Sequence, residues 1–275
     1  MATLLVHIAL LAYVAGAAAF LIWLVRARPW AVRAGRIALL LGVVVHLSAF
    51  GLSLGVAGLG LGEGAWKGGQ LFSLLAGVTV AGYLLLDFKY DLPVAGAFVA
   101  PFTVAVMVPA HLVRSSARAV APQLTHSLPL FLHVGAAALG TGALALAFGL
   151  SLLYLASENQ LKHHRPGRLF ERLPSLDLID KASYRLAVWG FVFLSLAIAT
   201  GSLASRESLG TPLPLGPKQG FAILAWALLA TMIQARLVAG WRGRRVAMLV
   251  VAGFVLLLGT YVGLLTAPAL QGAIA

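Results

Sequence analysis

Eight apolar runs succeed one another along the chain, and each is close to the roughly 20 residues that an α-helix needs to cross a hydrocarbon layer. This recurrence limits what the chain can fold into more than any other feature. The runs cover residues 4–25, 37–57, 71–88, 93–113, 128–156, 184–204, 219–239 and 245–266. They are continuous and lack the alternation of barrel strands. A peptide group in lipid has no water to bond with, so it bonds within its own segment, and helices follow. Composition agrees: of 275 residues 61% are hydrophobic and 10% charged, with mean hydropathy +0.96. That is more apolar surface than a soluble domain can hide. The expectation is an all-α polytopic integral membrane protein of about eight transmembrane helices, one domain over residues 1–275.

The third and fourth runs flank Asp87, Lys89, Asp91 and Pro93, which read as a tight turn between two full spans; a re-entrant pair is the alternative. The longest connection, Glu158 to Ser183, sets Leu169, Phe170, Leu173, Leu176, Leu178 and Ile179 among basic residues, a pattern that predicts a short helix lying in the interface. A net charge of +12 would suggest nucleic acid in a soluble protein, but here the basic residues punctuate apolar runs. Of the 20 Lys and Arg, fifteen fall in or beside alternate connections and five in the others. The rule that basic loops stay inside places the fifteen on the cytoplasmic side and both termini on the outer side. Topology therefore accounts for the charge, and nucleic acid is not expected as a partner. No basic residue precedes the first run, so it does not read as a cleavable signal peptide. The absence of cysteine excludes disulfides, thiolate metal sites and thiol redox chemistry by this chain.

A polar group inside a span is costly, which makes it a functional candidate, and here nearly all such groups are histidines. No Asp, Glu or Lys lies deep in a run; Asp87 and Arg236 sit near cytoplasmic ends, within reach of the interface. His46 is in the second run and His133 in the fifth. A rise of about 1.5 Å per residue places them roughly 15 Å and 8 Å below the outer boundary, both in the outer half. Neutral imidazole is tolerable in lipid, and two of them can ligate one iron from opposite sides, as in a b-type heme with axial histidines. Hydrogen bonding inside the bundle is the equally open alternative. Gly42, Gly135 and Gly140 lie beside these histidines and would give a flat guest a surface without side chains. Equally, with Ala138 and Gly142 they would simply let helices approach closely.

The other histidines carry less. His7, near the outer end of the first run, reads as a third ligand or an interfacial hydrogen-bonding group. His111 and His126 bracket an outer connection holding Arg114 and Arg118, a set that could hold an exposed heme with its propionates on arginine, or be solvated loop. His163 and His164 read as cytoplasmic surface. The glycine-rich stretch Gly58 to Gly64 lacks the strand and helix of a phosphate loop. No Ser-His-Asp set stands out, and an enzyme is not expected.

Several stretches resemble the cytochrome c assembly superfamily of heme-handling membrane proteins, the CcsA- and CcmC-like group, and within it the short branch typified by HemX and YpjD. They are LFLHVGAAALGTGALALAFGLSLLYLASENQLK (131–162), LPSLDLIDKASYRLAVWGFVFLSLAIATGSL (173–203) and AWALLATMIQARLVAGWRGRRVAMLVVAGFVLLLGTYVG (225–263). ALLAYV near the start and VVHLSAF around His46 extend the likeness, and GWRGRR at 240–245 is its most specific part. The resemblance singles out His46 and His133 as family-type membrane histidines. It departs in two places: the larger members carry a tryptophan-rich outer loop flanked by histidines, whereas residues 206–218 hold neither Trp nor His, and Pro217 stands where some relatives place a histidine. What it implies is heme binding within the bundle rather than presentation of heme to a thiol-bearing partner.

The resulting expectation is a multi-pass protein of a bacterial inner membrane that binds heme b through His46 and His133. It would serve heme transport, cytochrome c maturation or control of heme synthesis, with a maturation or heme-synthesis protein as partner. The alternatives are a cofactor-free regulator or accessory subunit working through its basic cytoplasmic connection, and a transporter, which the lack of buried carboxylates and of an inverted repeat disfavours.

Overall fold

The computed structural model describes residues 2–53, 68–112, 128–163, 174–212 and 216–274. Among them the chain forms eight helices and no strand: α1 (Ala2–Arg26), α2 (Pro29–Ser53), α3 (Gly68–Tyr90), α4 (Pro93–Leu112), α5 (Leu128–Lys162), α6 (Leu176–Leu209), α7 (Pro217–Val238) and α8 (Arg244–Ile274). Six of these, α1, α2, α3, α5, α6 and α7, are long and apolar enough to cross a membrane. Leu11, Leu41, Leu85, Phe88, Trp189 and Leu224 stand exposed on their helices. On a soluble protein so many large apolar side chains would mark an interface; around membrane helices they face acyl chains. The chain is thus a polytopic α-helical membrane protein, as the run lengths predict.

At the start of α2, the end of α5 and the start of α6, helix ends differ from run ends because charge, not loss of helicity, interrupts the apolar pattern. α2 begins at Pro29, eight residues before the second run, with proline at the first helical position, where its missing N–H costs nothing. α5 continues to Lys162 and α6 begins at Leu176. Leu176, Leu178 and Ile179 are therefore the opening turn of α6 rather than part of a separate interfacial helix. Ile179 is buried, Asp177 sits in the first turn, where the helix dipole favours an anion, and Lys181 reaches back to Asp177 at 2.6 Å. Leu169, Phe170 and Leu173 lie outside the described residues.

The helices group into two compact units, Met1–Phe131 with Gln160–Ser175, and Leu132–Asn159 with Leu176–Ala275. In the first, α1 folds back on α2 through Ala27, whose φ of 54° is a left-handed helix stop. α3 folds back on α4 through Asp91 (φ 49°). A fork of hydrogen bonds fixes this second turn. Arg36 Nε donates to Asp87 Oδ2 at 2.7 Å and Nη2 to Oδ1 at 3.0 Å. The Leu92 amide donates to the same Oδ1 at 2.8 Å, and Arg36 also bonds Asp91. Asp87 is buried, so it does not reach out to the interface as its place near a span end suggests. A carboxylate left in lipid is costly, and a bidentate arginine satisfies it where it stands.

In the second unit α5 and α6 approach until their backbones nearly touch: a Cβ on Gly140 would lie 3.1 Å from the Leu194 nitrogen, and one on Gly190 would lie 3.2 Å from the Gly140 carbonyl oxygen. Deeper along the same seam Ser151 and Ser183 bond each other at 2.8 Å. The turn from α7 to α8 is held by Asp180 of α6, which accepts from Arg236 at 3.2 and 2.8 Å and from the Gly243 amide at 3.0 Å. Gly243 has φ +66°, and a side chain there would also strike the Tyr154 hydroxyl. Arg236 lies over the Tyr184 ring, 4.0 Å from its centroid. Both charges are only 12% exposed. Truncating one partner leaves the other buried and uncompensated, so Asp180→Ala is expected to destabilise the protein by about 3 kcal/mol. The check is its denaturation midpoint in detergent beside that of a surface control such as Lys181→Ala, which should shift little.

Candidate functional site

His46 projects from the middle of α2 into the first unit and is 1% exposed. Both ring nitrogens meet hydroxyls: Nδ1 lies 3.0 Å from the Tyr13 oxygen, and Nε2 lies 2.6 Å from Ser73 Oγ. Tyr13 comes from α1 and Ser73 from α3, so three helices converge on one imidazole. The Tyr13 ring stands edge-on to the imidazole, with centroids 5.7 Å apart. Gly42 makes room for it: a Cβ there would lie 2.7 Å from the Tyr13 ring. Gly77 of α3 walls the Nδ1 side, where a Cβ would lie 3.6 Å from that nitrogen. Tyr13 and Gly77 are buried, whereas Ser73 is partly exposed. Tyr13 and Gly77 thus close the ring on its Nδ1 side, and a small, rotatable hydroxyl meets it at Nε2.

His133 lies one turn into α5, in the second unit, and is partly exposed. Its Nδ1 is 2.7 Å from the Ala197 carbonyl oxygen of α6. A carbonyl only accepts, so Nδ1 carries the hydrogen, and in the neutral ring Nε2 then bears the lone pair. Gly201, one turn beyond Ala197, admits the ring: a Cβ there would lie 2.6 Å from Nδ1. Gly135, by contrast, has nothing within 4 Å of where its Cβ would be. The three glycines named from sequence thus meet three different surroundings: Gly42 a tyrosine ring, Gly140 the α6 backbone, and Gly135 open space.

His7 is exposed on α1. His111 lies in the last turn of α4. His126, Arg114 and Arg118 lie outside the described residues, as do Arg165, Arg168 and Arg172 of the basic connection. Among the described residues no group of three or more His, Asp and Glu gathers as a metal site. Tyr13, Ser73 and Gly201 are the residues that sequence reasoning passed over. The Tyr13 signal was faint but present: ALLAYV is among the family-like stretches, and tyrosine is its one polar residue.

Apolar helices long enough to cross a membrane, with imidazoles held among them, define a class, the polytopic α-helical membrane protein. Residues 68–267 match the family described as Cytochrome C assembly protein, and the chain belongs to that family. His133, Gly135, Gly140 and Ser73 fall within the matched residues; His46, Gly42 and Tyr13 precede them. Similar proteins include a cytochrome c biogenesis protein CcsA of Prochlorococcus marinus subsp. pastoris, 28% identical over 216 residues, which are 70% of this chain and 68% of the relative. A CcsA of Guillardia theta is 28% identical over 198 residues, 66% of each chain. A CcsA of Gloeothece citriformis is 34% identical over 98 residues, 36% of this chain and 30% of that one.

Gly201 and Gly135 offer a direct comparison. Gly201→Ala drives a methyl group into the His133 ring and should cost about 1–3 kcal/mol, the usual penalty for overpacking. Gly135→Ala, with free space and a better helix former, should be neutral or slightly stabilising. Thermal unfolding of the two variants checks this; equal midpoints would show that the ring does not sit against α6.

Proposed function

We propose that this chain is a heme-handling protein of cytochrome c maturation in a bacterial cytoplasmic membrane, and that heme b is ligated there by His46 and His133. Membership of the cytochrome c assembly family and likeness to CcsA proteins support the role. The observation that carries the ligand assignment is the His133 bond to the Ala197 oxygen at 2.7 Å. It holds the imidazole in the tautomer with Nε2 unprotonated, the arrangement in which histidines bind metals, with the other nitrogen donating to a carbonyl.

The donors suit a heme iron. Both are neutral imidazoles on spanning helices, and the chain has no cysteine or competing carboxylate cluster among its described residues. His133 is ready as it stands; His46 becomes a ligand once the Ser73 hydroxyl turns from Nε2. A bound heme would supply an iron centre with accessible redox states. The chain's own residues bind and orient it: Ala197 fixes the His133 ring, and Tyr13 holds the His46 ring from behind. Its work is binding and delivery, without bond-making by the protein, and so it is not an enzyme. Within the family the short HemX- and YpjD-type branch suits it best, because residues 206–218 carry neither tryptophan nor histidine. That composition favours holding heme over presenting it at an outer loop. Arg114 and Arg118, in an outer connection, are the side chains we assign to the propionates.

Purified protein should show the six-coordinate low-spin spectrum of bis-histidine heme, and replacing both His46 and His133 with alanine should abolish it. Unchanged heme content in the double variant would defeat the assignment.

A further inference from the structure

The surroundings of His46 are lopsided in a way that ligand binding would exploit. On the Nδ1 side stands Tyr13, fully buried, its ring seated in the space that Gly42 leaves clear and so unable to swing away. On the Nε2 side stands Ser73, partly exposed and turning about a single bond. The two hydroxyls therefore differ in what they can do when a guest arrives. Tyr13 must remain; Ser73 can leave and bond elsewhere, for instance to a carbonyl of its own helix one turn back, as Thr79 does to Leu75 at 2.7 Å in the same helix.

We propose that Tyr13 is the positioning residue of the His46 ligand and that Ser73 is a placeholder, holding Nε2 when no iron is bound and yielding to it when one is. This inference rests on His46 being a heme ligand. Without a guest, Tyr13 O–H donates to Nδ1 and Nε2–H donates to Ser73 Oγ, so the buried ring is satisfied at both ends. Ligation at Nε2 displaces that proton to Nδ1, where it is donated to the Tyr13 oxygen; the phenol changes from donor to acceptor without moving. Tyrosine suits the post because its hydroxyl serves either way. A ligating histidine whose second nitrogen is bonded is oriented and made a better donor.

The division of roles predicts effects of opposite sign. Tyr13→Phe keeps the ring but removes the phenol from Nδ1: the unligated ring keeps its Nε2–H bond to Ser73 and buries only an Nδ1 lone pair, whereas the ligated ring must bury an Nδ1–H with no tyrosine oxygen to accept it. Heme affinity should fall about 10- to 100-fold, the range for lost second-shell partners. The midpoint potential of the heme that still binds should rise, since a less electron-rich imidazole stabilises the ferric state less. Ser73→Ala removes a bond present only without the guest, so heme affinity should rise about 2- to 10-fold, the worth of one ordinary hydrogen bond.

The experiment is a titration of hemin into heme-depleted full-length protein in lipid nanodiscs, for wild type, Tyr13→Phe, Ser73→Ala and His46→Ala, followed by the Soret band. Redox potentiometry on the loaded forms and thermal unfolding of the unloaded ones complete it. If His46→Ala binds hemin like wild type with the same spectrum, the ligand assignment fails and this inference with it. If His46→Ala loses the low-spin spectrum but Tyr13→Phe and Ser73→Ala shift affinity in the same direction, or either leaves it unchanged, only the division of roles is overturned. Opposite shifts, with the rise in potential confined to Tyr13→Phe, are the expected result.

Discussion

A polar atom in hydrocarbon has no water to turn to, so each one on these helices must find its partner within the protein. Many of the described hydroxyls do so inside their own helix. Ser48, Thr79, Thr103, Ser195 and Thr231 all donate to the carbonyl four residues back. Such bonds satisfy the hydroxyl locally and carry no information between helices. The ring nitrogens of His46 and His133 and the carboxylates of Asp87 and Asp180 are not satisfied in this way. They draw partners from other helices, and in doing so they decide which helices meet and where.

The charged cases and the histidines obey the same requirement with different results. Asp87 and Asp180 each take both arms of an arginine and one backbone amide. Every strong acceptor site is then occupied by a group that cannot leave without exposing a charge. These are fixed points, and they pin the turns from α3 to α4 and from α7 to α8. The histidines are neutral, so their bonds can be exchanged at modest cost. His133 spends one nitrogen on a backbone oxygen; His46 has hydroxyls at both nitrogens, one fixed and one rotatable. Arginine paired with aspartate builds the frame, while the neutral imidazoles retain the capacity to change partners.

Much of this is legible in the sequence because the bilayer sets so simple a length rule. The first, third, fourth and seventh runs coincide with α1, α3, α4 and α7 to within three residues at each end. The second and sixth runs begin eight residues later than α2 and α6, the fifth ends six residues before α5 does, and the eighth ends eight residues before α8 does. Arg33 and Arg36 lower the hydropathy before residue 37, and Glu158 and Lys162 lower it after 156, yet the backbone stays helical as it leaves the lipid. Hydropathy measures the membrane, and helicity has no reason to stop at its edge. The two histidines stood out because imidazole is rare among apolar residues, whereas their surroundings did not. Tyr13 and Ser73 lie 33 and 27 residues from His46, and Ala197 lies 64 from His133. No local pattern relates them. Glycine illustrates the same point, since Gly42, Gly135 and Gly140 read alike in sequence and differ only in what faces them.

The family match begins at residue 68 and so omits α1 and α2, but the physics does not allow these helices to be an appendage. Asp87 lies within the matched residues, is buried, and owes its charge compensation to Arg36 of α2. Without that guanidinium a buried carboxylate is left uncompensated at the turn whose shape depends on its bond to the Leu92 amide. Ser73 is likewise inside the match and bonds an imidazole outside it. The two polar links from α2 fall at different levels of the same helix, Arg36 near its beginning and His46 ten residues on, about 15 Å further along. Two anchors so spaced fix both the height and the rotation of α2 against α3. Tyr13 then extends that fixed geometry to α1. The first four helices consequently form one unit because its polar groups bridge the boundary of the match, and it is that unit as a whole that holds the His46 ring in place.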